Sequence, residues 1–273
     1  MRITLAIIID TFREALARWI FIGLFVLSTM MILFFLFVLK IDLVEGATAT
    51  ISLFGQNARA MDVNRLVQNV YGGVATFLYT WGMGLTVFAS AGLIPRVLEP
   101  GRIELILSKP VSRTHLLLGR FAGNVVVVAG NVCYLVVGVW VILGIKTGIW
   151  KPHFLIAILT TIFTFSVLLT VVVLLGVLVE STALATMVTT ALMIVSPLLA
   201  QTNLAMRLLS SETSRTIWRW LYYALPKIYD VGAMTLHAVR SQPIESWMPI
   251  WSSAIFGAVM LTAATAIFAR RNF

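Results

Sequence analysis

Six stretches of this chain contain no Asp, Glu, Lys, Arg or His: Trp19 to Leu39, Leu66 to Pro95, Phe121 to Ile145, Phe154 to Val179, Ser181 to Met206 and Ser246 to Ala269. The shortest holds 21 residues, and about 20 apolar residues at a helical rise of about 1.5 Å cross a hydrocarbon core of roughly 30 Å. Inside lipid a span must satisfy its own backbone, and continuous rather than alternating apolar runs select helices over a barrel. The expected fold class is therefore all-α: one polytopic membrane domain over 1–273 with six transmembrane helices at 20–39, 73–94, 123–144, 155–179, 183–200 and 250–268. The composition agrees, with 60% hydrophobic and 11% charged residues against about 45–50% and 25% in soluble domains. The first run follows charges and is too long for a signal-peptide core, so it reads as a span.

The formal charge of +9 suits anionic headgroups at the span ends and not nucleic acid. With both termini inside, basic residues divide equally between the two faces. Five of the outer ones are spread along the long stretch 201–249, which weighs less in setting orientation. Cytoplasmic termini and a multi-pass location in the plasma (inner) membrane are expected.

Between the spans, three segments carry their own pattern. Residues 1–19 place Leu5, Ile8, Ile9, Phe12, Ala15, Leu16 and Trp19 on one helical face, with Asp10, Arg13 and Glu14 largely opposite, predicting an amphipathic elbow before span one. Residues 201–249 mix Trp218, Trp220, Tyr222, Tyr223, Tyr229 and Trp247 with scattered charges, predicting amphipathic helices on the outer leaflet that could meet an extracytoplasmic accessory protein. The third segment, 96–115, is the only long charged connection expected on the inner side. Pro100 suits a helix start, Ile103, Ile106 and Leu107 share a face, and Pro110 ends the helix. Ser112 then caps the helix entering span three.

The chemistry sought elsewhere is missing. No Gly-x-x-x-x-Gly-Lys-[Ser/Thr] loop occurs, so this chain is not expected to be an enzyme hydrolysing ATP by that route. His115, His153 and His237 are far apart, the methionines are scattered, and no His-Glu-x-x-His is present; neither a metal site nor an intramembrane hydrolase is expected. No titratable group sits mid-span to couple an ion gradient. Energy must come from outside the chain, and the 96–115 helix is shaped to dock in a groove on a cytoplasmic partner. Ser181, Ala185 and Thr189 form a small-residue stripe that could bring span five against a second copy.

The run Glu99-Pro-Gly-Arg-Ile-Glu-Leu-Ile-Leu-Ser-Lys-Pro-Val-Ser-Arg113, followed by Leu117, Gly119 and Arg120, resembles the permease subunits of ABC-2 type transporters, especially the nitrous-oxide-reductase maturation branch. Leu225-Pro226 and the basic ending Arg270-Arg271-Asn272-Phe273 add to the likeness. Pro100 and Arg102 depart from the family pattern and would shift the docking angle. The resemblance implies a homodimer that binds two copies of a separate ABC ATPase, which carries the ATP and Mg; no cofactor is implied for this chain. Carried over by position, Glu99, Gly101, Arg102, Glu104, Leu107, Ser108, Pro110 and Arg113 would form the coupling helix. A transport permease, in the exporting direction, is thus expected. A non-transporting membrane anchor or assembly protein and an ion-coupled carrier are the alternatives.

Overall fold

The computed structural model describes residues 2–17, 19–38, 40–44, 48–53, 56–57, 61–92, 112–202, 206–207, 211–244 and 246–270. The N-terminal helix α1 covers Arg2–Leu16 and α2 covers Trp19–Leu33, continued by a π turn at Phe34–Val38. Four short strands follow, β1 Lys40–Val44, β2 Thr48–Leu53, β3 Gln56–Asn57 and β4 Met61–Asp62. Next come α3 Val63–Phe77, a π turn at Leu78–Gly82 and α4 Met83–Ala91. The remaining helices are α5 Arg113–Thr147, α6 Ile156–Val179, α7 Thr182–Ala200, α8 Glu212–Ala224, α9 Ile228–Val239 and α10 Met248–Arg270.

Among the described residues, five helices are long and apolar enough to cross a membrane: Trp19–Phe37, Arg113–Thr147, Pro152–Val179, Thr182–Ala200 and Met248–Arg270. The expected second span is helical from Gly73 to Ala91 but is not one of the five. Its glycines, threonines, Tyr79 and Trp81 dilute the apolar character that the other spans keep. The connection 40–62 carries a small sheet in which β1 and β2 pair antiparallel from Lys40↔Ser52 to Val44↔Thr48, with β3 and β4 both joined to β2. The β-branched residues of Thr48–Leu53 favour that extended pairing.

The central helix is α6, packed against α4, α5, α7, α9 and α10. Leu168, Leu169, Val172, Val173 and Val177 are fully buried. Helix α6 meets α7 through a two-residue turn at Glu180 and Ser181. Glu180 adopts a left-handed conformation (φ 56°), and the Ser181 hydroxyl caps α7 by accepting from the Leu184 N–H at 3.3 Å.

In the stretch 201–249, expected as amphipathic helices on the outer leaflet, the two described helices differ in burial. Helix α8 buries none of its residues, as a surface helix would. Helix α9 instead buries Ile228, Val231, Met234, Thr235, Ala238 and Val239 and packs against α3, α6 and α7. These residues recur every three or four positions, the stripe of a helix inserted among others.

Candidate functional site

Two regions carry geometry that a membrane machine could use. The first lies where the expected coupling segment meets the bundle. Of the residues proposed for coupling, Glu99, Gly101, Arg102, Glu104, Leu107, Ser108 and Pro110 lie outside the described residues, and Arg113 is the first residue of α5. Ser112 caps that helix as expected, its Oγ accepting from the His115 N–H at 3.3 Å and pairing with the His115 ring.

Helix α5 has 35 residues, about 52 Å at the helical rise, so it extends well beyond a hydrocarbon core. Its first turns hold the N-terminal helix. A Cβ on Gly119 would stand 2.7 Å from Ile7 Cγ2, and one on Gly123 2.6 Å from Thr11 Cβ. Only glycine lets the two helices approach this closely. Between the glycines, buried Arg120 donates from Nη1 to Glu14 Oε2 at 2.5 Å and from Nη2 to Asp10 Oδ2 at 2.9 Å. Two charge-assisted bonds offset the cost of burying the guanidinium. Sequence reasoning placed Asp10 and Glu14 on a polar face without a partner. The missed signal was Gly-x-x-x-Gly around an arginine, facing two carboxylates spaced i, i+4.

The same direction of travel continues upward. Ser28 donates to Asn131 at 2.9 Å, Ile32 packs on Gly138, Phe25 stacks on Tyr134 at 4.7 Å, and Lys146 donates to the Leu36 carbonyl at 2.6 Å. Partner numbers rise together along both segments, so α1 and α2 both run parallel to α5, joined to it at its first turns, its middle and its last turn.

The second region is a groove between α3–α4 and α7, closed at one end by α9. A cavity of about 590 Å³ is lined by Trp81, Leu85, Phe88, Thr190, Ile194 and Pro197 among others. A neighbouring cavity of about 240 Å³ shares Tyr79, Thr80 and Tyr229 with it. Both walls are irregular. The π turn Leu78–Gly82 interrupts one, and Pro197 lies inside the other. Such irregularities concentrate at functional positions, and irregular backbone at membrane depth is tolerated where protein or a cavity surrounds it. The π turn directs Tyr79 inward, where its hydroxyl donates to the Ile228 carbonyl at 2.5 Å and meets Thr164 Oγ1 at 2.9 Å. The Tyr79 ring fills the notch at Gly232, where a Cβ would lie 2.6 Å away. Ser196 Oγ accepts from the Tyr229 N–H at 2.9 Å. Helix α9 is thereby tied to both walls.

The small-residue stripe is placed differently from the expectation of a contact with a second copy. Ala185 and Thr189 are buried within this one chain, and Ser181 serves as the α7 cap. The exposed face of α7 instead carries Leu184, Met187, Ile194 and Leu198.

Between α8 and α10, Lys227 centres a polar cluster. Buried Lys227 donates to the Tyr222 carbonyl at 3.1 Å and Ser252 Oγ at 2.9 Å, and its ammonium sits 4.5 Å from the Tyr222 ring centroid. Tyr222 in turn donates to Asp230 at 2.7 Å. Burial pulls the Lys227 pKa below the ordinary lysine value, and Asp230 partly offsets that pull.

Comparison with known proteins adds one finding. The family model described as ABC-2 family transporter protein matches residues 5–273, nearly the whole chain. No curated protein matches this sequence.

Proposed function

The chain belongs to the ABC-2 family of transporter proteins, and from that premise we propose that it is the permease subunit of an ATP-driven exporter, cycling between inward and outward states. The family implies a membrane setting and an ATPase partner, and no phosphate loop occurs in this sequence. We place the chain in the inner membrane with both termini in the cytoplasm. The run Gly73 to Ala91 serves as a sixth span, and the working unit is a homodimer on two ATPase subunits that supply ATP and Mg.

In this scheme the segment 96–115 is the coupling element, with Glu99, Gly101, Arg102, Glu104, Leu107, Ser108, Pro110 and Arg113 facing the ATPase. The observation that carries the proposal is the clasp of α1 and α2 along α5. Helix α5 begins at Arg113, within the last residues of the coupling segment, and a push on its inner end meets a three-helix body joined at Arg120, Asn131 and Lys146. Such a body moves as a unit and not as a bending rod. It tilts against α6 and α7 and changes the groove beside Tyr79, which serves as the substrate path. ATP closure on the partner biases that two-state equilibrium through its differential contact with this body.

Co-purification in detergent with the cytoplasmic ATPase tests the proposal. Charge reversal of Glu104 together with Arg113 is expected to abolish binding of the ATPase. Unchanged binding would point to a membrane anchor that meets its partners elsewhere.

A further inference from the structure

Helix α9 closes one end of the groove beside Tyr79, the path proposed above, and three consecutive residues at its start bond to three different neighbours. The Lys227 N–H donates to Ser253 Oγ of α10 at 3.0 Å, the Ile228 carbonyl accepts from Tyr79 of the π turn at 2.5 Å, and the Tyr229 N–H donates to Ser196 Oγ of α7 at 2.9 Å. The first N–H groups of a helix have no acceptor inside it, and Lys227 at the N-cap makes no side-chain cap of its own. Serines of α7 and α10 supply the acceptors from outside.

Two of the three tethers are anchored where the groove walls are irregular. Tyr79 stands on the π turn, and Ser196 immediately precedes Pro197. If those walls separate, α9 cannot keep both bonds, and the two are not equally costly to lose. Parting Tyr229 from Ser196 strands an N–H in a turn whose Lys227 and Ile228 are buried, and a buried donor left unpaired costs more than a bond that is exchanged. Parting Tyr79 from Ile228 strands no backbone group. Ile228 opens α9, so its carbonyl has an acceptor's place in the helical ladder. Thr164, which meets Tyr79 Oη at 2.9 Å, also donates to the Thr160 carbonyl at 3.0 Å. Only the Tyr79 hydroxyl loses partners, and Tyr79 already lines both cavities.

We propose that α9 is a gate on the groove: when the walls part it stays with α7 and α10 and leaves the π turn, and Tyr79 is the latch that releases. The order of release follows from which side chains hold buried backbone groups and does not depend on what passes through the groove.

The test places pairs of spin labels in the full chain, in nanodiscs and on a Cys133→Ser background. One pair joins His237 of α9 to Phe88 of α4 and the other joins His237 to Val259 of α10; Phe88 and Val259 are exposed and His237 is half-buried. In Tyr79→Phe, with no ATPase present, the first distance should gain a longer component while the second stays constant. Ser196→Ala should instead speed amide exchange over 228–232 by about three- to tenfold, the loss of one hydrogen bond, and by more than Tyr79→Phe does. The unlatched pattern, first distance longer and second constant, is also expected in the Tyr79 chain trapped with ATP on its ATPase. Lengthening of the second distance in either chain would overturn the proposal, as would a Tyr79→Phe chain in which neither distance moves. Fixed distances under ATP trapping, with the Tyr79→Phe shift present, would sink the permease scheme and leave the latch standing.

Discussion

Arg120 and Glu14, 106 residues apart in sequence, meet at 2.5 Å with the arginine side chain only 5% exposed. The contact fastens the N-terminal helix to the first turns of α5, just after the segment expected to receive the ATPase. Asp10, 68% exposed, completes the pair of carboxylates.

Neutralising both carboxylates strands a buried charge. Asp10→Asn with Glu14→Gln should destabilise the fold by about 3 kcal/mol, the lower part of the range for breaking a buried pair. Arg120→Met, which removes the charge and keeps the volume, should cost less. Thermal unfolding in detergent of the three variants checks the order, and a smaller loss in the double variant than in Arg120→Met would contradict it.

The glycine notches give a second comparison. Gly123→Ala drives a Cβ into Thr11 and should cost about 1–3 kcal/mol through overpacking. Gly130→Ala, with open space around its Cα, should be neutral or gain up to about 1 kcal/mol from helix propensity. The difference in melting temperature between these two otherwise similar substitutions is the readout.

At the groove, Tyr79→Phe removes a hydroxyl that serves both Ile228 and Thr164 and should cost about 1–2 kcal/mol. Gly232→Ala should displace the Tyr79 ring and open α9 to proteolysis at a lower protease concentration than in the parent chain. Transport should fall in both.

Lys227 gives a pH signature. Its folded pKa lies below the ordinary lysine value of 10.5, so between the two values the unfolded chain binds more protons, and stability rises with pH. Tyr222 is shifted upward, first by burial and then by its bond to Asp230. Above about pH 10 it therefore works in the opposite sense, because the folded chain then keeps a proton that the unfolded chain loses. Melting temperature should climb as pH approaches 10 from neutral, and Lys227→Met should flatten the climb.

The spans were legible because lipid imposes one rule on every residue between Trp19 and Phe37 or Ile156 and Val179: apolar, helical and long. The cap at Ser112 was legible because it answers to local backbone chemistry, whereas Ser181 reads from the sequence as part of a stripe and only the structure makes it a cap. What escaped depends on partners distant in sequence. Nothing in the periodicity of 201–249 says that Val231 and Val239 are buried in the protein and not in lipid, because membrane and protein interior are equally apolar. Nor does the stripe Ser181, Ala185, Thr189 say which helix it will meet. The Arg120 clasp joins two segments that each look like ordinary interfacial charge. The π turn at Leu78–Gly82 has no apolar period to announce it.

The most direct test of the mechanical scheme is a pair of distances, measured by spin labels in the complex with its ATPase before and after trapping with ATP. Labels at Phe12 and Leu118 report on α1 against α5, and labels at Leu118 and Leu184 report on α5 against α7; all three side chains are exposed. A constant first distance with a second that changes by several ångströms is the predicted result. A first distance that opens on ATP binding, or two distances that both stay fixed, would contradict a rigid three-helix body driven from its inner end.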